Sequence, residues 1–194
     1  MKKLIVTILA AAVVLLCVSY ATMNTAVENY NAHHTQLMQT LLPGSTAFTV
    51  VPYDGEDAAI RSVHRGENGY IIETVTQGYA DEITMFVGVS NDGHVTGLVV
   101  WEAHETPGLG SKILTDHVFL SQFLNKTGSF EVVTHGADAF SGATGGAATE
   151  GESVQVDGIS GATVSSKAVV RCVNSAIAYV TGADAVSAAT SWGG

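Results

Sequence analysis

From Leu4 to Val27 the chain carries no charged residue, and from Leu4 to Tyr20 it is almost wholly aliphatic. About 20 apolar residues in a helix cross the hydrocarbon core of a bilayer. The run is therefore read as one retained transmembrane helix, with residues 4–23 in contact with lipid. A cleaved signal peptide fits less well, since its apolar core is usually shorter and no small-x-small cleavage site precedes Met23. Leu15-Leu16 before Cys17 also argues against a lipoprotein acceptor there. Lys2 and Lys3 stand before the span and acidic residues dominate after it, so the positive-inside rule places the N-terminus in the cytoplasm and the bulk of the chain outside.

Beyond the span there is room for one domain of ordinary size within the 194 residues. A hydrophobic fraction of 46% with only 13% charged residues excludes a disordered chain. Lys and Arg number 8 against 18 Asp and Glu, a formal charge of −10, and two of the bases sit at positions 2 and 3. A surface this acidic repels phosphate backbones, so nucleic-acid binding is excluded. Cys17 and Cys172 lie in different apolar patterns and suggest neither a disulfide nor a thiolate metal site. The seven histidines show no His-Glu-x-x-His or other ligand spacing, and no metal is expected.

Residues 1–27 are read as the cytoplasmic end and anchor, 28–59 as a membrane-proximal helix and linker, 60–182 as the outer domain, and 183–194 as a loose tail. A partly helical spacing over Ala26–Leu42 stops at Pro43-Gly44. Tyr70–Val75, Ile83–Val89 and His94–Glu102 read as strands, the last two joined at Asn91-Asp92-Gly93 as a hairpin. Ile113, Leu114, Phe119, Leu120, Phe123 and Leu124 recur at helical spacing, and a second helix spans Ser165–Val180. Strands in one block with flanking helices predict an α+β fold, a largely antiparallel sheet flanked by helices.

Between the two helices, Gly136–Gly161 is rich in small residues and contains an internal echo. Asp138-Ala139-Phe140-Ser141-Gly142-Ala143-Thr144 is matched nineteen positions on by Asp157-Gly158-Ile159-Ser160-Gly161-Ala162-Thr163. Only the second copy runs into an amphipathic helix. Thr163 is thus expected where a glycine turn opens a helix, with backbone N–H groups and the positive dipole end available to a phosphate. Gly145-Gly146-Ala147 after the first copy makes it the poorer seat.

Asp157 to Ser165 resembles the flavinylation motif of the FMN-binding domain family. A second block, His104-Glu105-Thr106-Pro107-Gly108-Leu109-Gly110, resembles that family's Glu-Thr-Pro-Gly-Leu-Gly signature, and Gly78-Tyr79 falls at its Gly-Tyr turn. Where family members often continue with further glycines, this chain has Ala80-Asp81. The resemblance covers roughly residues 60–180. It implies that FMN is joined covalently to Thr163 through a phosphoester, installed from FAD by a flavin transferase. It further implies that Asp157, Ser160, Gly161, Ala162 and Ser165 form the surrounding motif, and that Glu105, Thr106, Pro107, Gly108, Leu109 and Gly110 lie close to the flavin. The short chain and single anchor are most similar to the G subunits of Rnf-type ion-translocating complexes. The implied partners are the other membrane subunits, and the implied role is electron relay without turnover of a substrate by this chain alone.

A threonine hydroxyl is a weak nucleophile without an adjacent base, and none is evident near Thr163, which favours an external transferase. Asp157 is available to present a divalent cation to that enzyme, or simply to form a turn before Gly158. Tyr79 and Trp101 read as packing aromatics with the alternative of stacking near a flavin. Other readings are a stand-alone anchored flavin carrier, a C-type subunit of a quinone reductase, or an inert binding domain. A serine hydrolase using Ser160 is a distant one, since Gly158–Ala162 only approaches a nucleophile elbow and every histidine precedes it.

Overall fold

The computed structural model describes residues 34–133 and 153–182. The apolar run at 4–23, the first copy of the repeat and the 183–194 tail lie outside them. The chain divides into two compact units, Met1–Met38 and Gln39–Gly194. Of the first, 34–38 are described and are helical; the helix α1 is described over 34–41 and ends before Pro43-Gly44, as the sequence predicts. Among the described residues no helix is long and apolar enough to cross a membrane.

The second unit is built on a five-stranded antiparallel sheet in simple sequence order: β1 (Thr49–Val51), β2 (Ile60–Arg65), β3 (Gly69–Gln77), β4 (Glu82–Ser90) and β5 (Val95–Ala103). The three predicted strands are β3 to β5; β3 and β4 run a residue or two further at each end, and β5 is displaced by one residue. The β4–β5 turn forms at Asn91-Asp92-Gly93, where Gly93 takes φ +84° and its N–H donates to the Ser90 carbonyl at 2.9 Å. Two short strands that the periodicity did not signal, β6 (Phe130–Val133) and β7 (Val154–Asp157), pair in parallel beside this sheet. The observed class is α+β with a small parallel element added.

One face of the sheet is covered by α3 (Thr163–Thr181). Ile83, Met85, Val87 and Val89 of β4 pack in one core with Val169, Cys172, Val173 and Ala176 of this helix. A buried hydrogen bond from Thr76 Oγ1 to the Ala168 carbonyl, 3.1 Å, ties β3 to the same helix. Part of the other face is covered by Leu41 at the end of α1. Gly88 and Gly97 sit opposite each other in the β4–β5 ladder, and a Cβ on either would meet the Leu41 backbone. Thr96 Oγ1 donates to the Leu41 carbonyl at 2.6 Å, fixing the contact.

The segment 110–124 is not one helix. A 3-10 turn over Gly110–Leu114 is followed by α2 (His117–Ser121). Asp116 divides them by capping α2, its carboxylate accepting from the Phe119 N–H at 3.0 Å. The apolar spacing still serves its purpose: Phe119 stacks edge-on to Phe123 at 5.5 Å, and Phe123 lies 5.1 Å from Phe130 at the start of β6.

Candidate functional site

β7 delivers the second Ser-Gly-Ala-Thr copy to the start of α3. The parallel ladder runs one residue past β7, with the Gly158 N–H donating to the Val133 carbonyl at 3.0 Å. Gln122 then acts as a substitute strand: its Oε1 accepts from the Asp157 N–H at 2.8 Å and its Nε2 donates to the Asp157 carbonyl at 3.1 Å. The Ile159 N–H donates to Ser166 Oγ at 3.0 Å, and the Ala162 N–H turns back to the Ile159 carbonyl at 2.9 Å. Gly161 takes φ +77°, a conformation natural to glycine, and makes the sharp entry into the helix. The segment is therefore anchored at several points before the threonine arrives.

Thr163 is the first residue of α3, two residues earlier than the predicted start, and is half-buried. Among the described residues no side chain caps this helix start, where Ala162 stands at the N-cap position. The first turn of a helix has N–H groups without intrahelical partners, and these together with the dipole favour an anion. The start of α3 is therefore a place where an anion is favoured. Ser160 is exposed in the same turn and has no histidine partner among the described residues. Asp157 is exposed, and its backbone is the part that Gln122 holds.

Thr106 to Gly110 forms the facing turn. The Leu109 and Ser111 N–H groups both donate to the Thr106 carbonyl at 3.2 Å, and Gly108 takes φ +75°. Pro107, Gly108 and Leu109 are exposed, Thr106 is half-buried, and Gly110 is buried. A Cβ on Gly161 would lie 3.2 Å from Leu109 Cδ2, so the two turns touch. Leu109 stays 47% exposed, an apolar side chain next to the helix start.

Glu105 does something the sequence did not anticipate. It is only 7% exposed, and its carboxylate accepts from Ser165 Oγ at 2.6 Å and from the Ala80 N–H at 3.1 Å. The Ser165 hydroxyl, itself buried, is thus turned toward Glu105. Gly78 and Gly110 flank the carboxylate, and a Cβ on either would sit on one of its oxygens. The 78–81 turn between β3 and β4, closed by the Gly78 N–H on the Asp81 carbonyl at 2.8 Å, so becomes the third member of the cluster. Gln122 and Ser166 are likewise site residues missed in the sequence, because backbone-directed amides and hydroxyls have no periodic signature.

Tyr79 at the tip of this turn is 71% exposed and so is not a packing residue. Trp101 is, edge-on to Phe86 at 5.6 Å on the sheet. A shallow depression nearby is lined by Arg61, Asp81, Glu82, Thr84, Glu102 and His104. Its acids outnumber Arg61, which is already paired at 3.8 Å with both Glu73 and Glu82, so it is a poor seat for phosphate. No cluster of three or more metal-ligating side chains occurs among the described residues.

Thr163 thus stands as the first residue of an uncapped helix, faced by a glycine-rich turn. Residues 78–178 match the family model described as the FMN-binding domain, and the chain belongs to that family. Relatives narrow the comparison. The G subunit of the Na(+)-translocating ferredoxin:NAD(+) oxidoreductase complex of Acetobacterium woodii is 32% identical over 184 residues, covering 86% of this chain and 83% of that protein. The G subunit of the ion-translocating oxidoreductase complex of Methanosarcina acetivorans is 32% identical over 192 residues, covering 92% and 93%. Among solved structures, the C subunit of the Na(+)-translocating NADH-quinone reductase of Parabacteroides distasonis is similar at a TM-score of 0.49 and 21% identity, over 73% of this chain and 78% of that one.

Proposed function

We propose that this chain is the FMN-carrying electron-transfer subunit of a membrane-bound, Rnf-type ion-translocating complex, with the flavin joined to Thr163 by a phosphoester. The observation that carries the reading is Thr163 at the open, uncapped start of a 19-residue helix. Similarity at 32% identity to the G subunits of two such complexes, over most of each chain, supports membership of one. In this reading residues 4–23 are the single lipid span and the FMN domain faces away from the cytoplasm, as the Lys2-Lys3 asymmetry favours.

FMN, when bound, supplies one- and two-electron transfer; the chain supplies position and charge. The N–H groups of the first turn of α3 and its dipole hold the phosphate. Lys167, exposed one turn further along α3, lies on the same helix face as Thr163 and offsets the added negative charge. Leu109 walls one side of the attachment turn. Among the described residues no group beside Thr163 is set to take its proton, so an external flavin transferase would form the bond, moving the FMN phosphoryl group of FAD to Thr163 Oγ1 with AMP leaving, and Asp157 is exposed to meet it.

The test is flavin fluorescence of the full chain in a denaturing gel after co-expression with a flavin transferase. Fluorescence is expected in the unmodified chain and in Thr144→Val, and none in Thr163→Val. A dark unmodified chain, with the transferase shown to label another substrate, overturns the attachment. Loss only in Thr144→Val assigns the flavin to the first copy of the repeat.

A further inference from the structure

Glu105 and Ser165 lie sixty residues apart in sequence, yet they share the shortest buried side-chain hydrogen bond at the site, 2.6 Å. Both carboxylate oxygens of Glu105 are accepting, Oε2 from the hydroxyl and Oε1 from the Ala80 N–H. Both lie against glycines, Oε1 against Gly78 and Oε2 against Gly110. One side chain therefore joins three separate turns: 78–81, Thr106–Gly110 and the start of α3. Ser165 is two residues from Thr163, so the bond acts within the first turn of the helix that bears the attachment hydroxyl. A solvent-facing flavin ligand would not be buried in a slot of this shape.

We propose that Glu105 is a positioning residue: it locks the Thr106–Gly110 turn and the 78–81 turn onto the first turn of α3, so that a flavin on Thr163 meets a fixed wall. The role rests on the reading of Thr163 as the attachment residue. It is exerted through hydrogen bonds whose geometry glutamine can reproduce. In Glu105→Gln the amide oxygen still accepts from the Ala80 N–H, and the amide nitrogen donates to Ser165 Oγ in place of the hydroxyl's donation. Alanine at 105 removes both contacts, and alanine at 165 removes one.

The experiment uses the full chain in detergent as unmodified protein, Glu105→Gln, Glu105→Ala and Ser165→Ala, each with and without a co-expressed flavin transferase. In the flavin-free proteins, amide hydrogen exchange is measured over 78–81, 106–112 and 160–166. Glu105→Ala is expected to speed exchange in all three turns by about tenfold or more, the scale of a lost hydrogen bond to a charged group. Glu105→Gln is expected to stay within about threefold of the unmodified chain, since both contacts persist. In the loaded proteins, flavin fluorescence anisotropy is expected to fall in Glu105→Ala and Ser165→Ala and to be restored in Glu105→Gln. A merely structural role would lower the melting temperature without moving anisotropy well below the melt.

Unchanged anisotropy in both alanine variants, with covalent label present, overturns the proposal while leaving the attachment reading intact. So does exchange that rises in one turn only. If Glu105→Gln is as disturbed as Glu105→Ala, the hydrogen-bonded latch is refuted in favour of the charge itself. Should Glu105→Ala fail to fold, Ser165→Ala carries the comparison for the start of α3 alone, where exchange over 160–166 and the anisotropy are read and either one unchanged overturns the proposal. A dark unmodified chain refutes the attachment reading, and this proposal with it.

Discussion

Two glycines two residues apart in the same turn should respond to alanine in different ways. At Gly108 a Cβ meets nothing within 4 Å, but φ is +75°, so alanine suffers only the left-handed backbone, about 1–2 kcal/mol. At Gly110 the backbone is ordinary, yet a Cβ would fall on Glu105 Oε2, 2.8 Å from Ser165 Oγ and 3.0 Å from Glu105 Cβ. Gly110→Ala must push the carboxylate off the serine, which forfeits a hydrogen bond to a charged group worth about 1.5–3 kcal/mol. The added methyl in a closed slot costs about 1–3 kcal/mol more. The sum, about 2.5–6 kcal/mol, is a large part of the roughly 5–15 kcal/mol that holds a domain together. It corresponds to a melting temperature lower by roughly 5–25 °C. Thermal and urea denaturation followed by circular dichroism give both values. Gly110→Ala combined with Glu105→Ala should lose clearly less than the two single losses added, because the second change removes the atom the first collides with. Equal stability of the Gly108→Ala and Gly110→Ala proteins would refute the reasoning.

Asn174 clamps β6, with Oδ1 accepting from the Phe130 N–H at 2.8 Å and Nδ2 donating to its carbonyl at 2.9 Å. Asn174→Leu leaves both buried backbone groups unpaired and should cost about 2–4 kcal/mol in urea denaturation. Gly88→Ala drives a methyl into the Leu41 carbonyl, so amide exchange over 39–42 should rise and stability should fall by about 2–3 kcal/mol. Burial pushes the Cys172 thiol above its ordinary value, so the unfolded chain loses that proton first and stability declines as pH rises past about 8.5. Denaturation midpoints at pH values of about 7 and about 9.5, on either side of that ordinary thiol value, should differ less in Cys172→Ala than in the unmodified chain.

Strands β3, β4 and β5 were legible because alternating β-branched residues and a tight-turn tripeptide are local properties of the chain. Helix α3 was legible for the same reason, its apolar residues forming one stripe. Strands β2, β6 and β7 were not, since four to six residues with exposed Arg61, Arg65 or Glu131 carry little periodic signal and gain their order from neighbours. The expected single helix over 113–124 failed at Asp116, whose capping preference outweighed the apolar spacing. That β4 is buried on both faces also escaped the sequence, because it depends on Leu41 finding the paired glycines Gly88 and Gly97.

By itself the sequence determined the acidic character of the domain, the apolar run before it, and the two blocks that mark an FMN-binding domain, because each is a matter of composition or of residues adjacent along the chain. Only the tertiary structure decided what Glu105 and Ser165 do. Their hydroxyl–carboxylate bond spans sixty residues and lies in a slot between two glycines from different turns. Such a contact has no local signature: it exists once the sheet, the 3-10 turn and α3 have packed, and water has been excluded from between them.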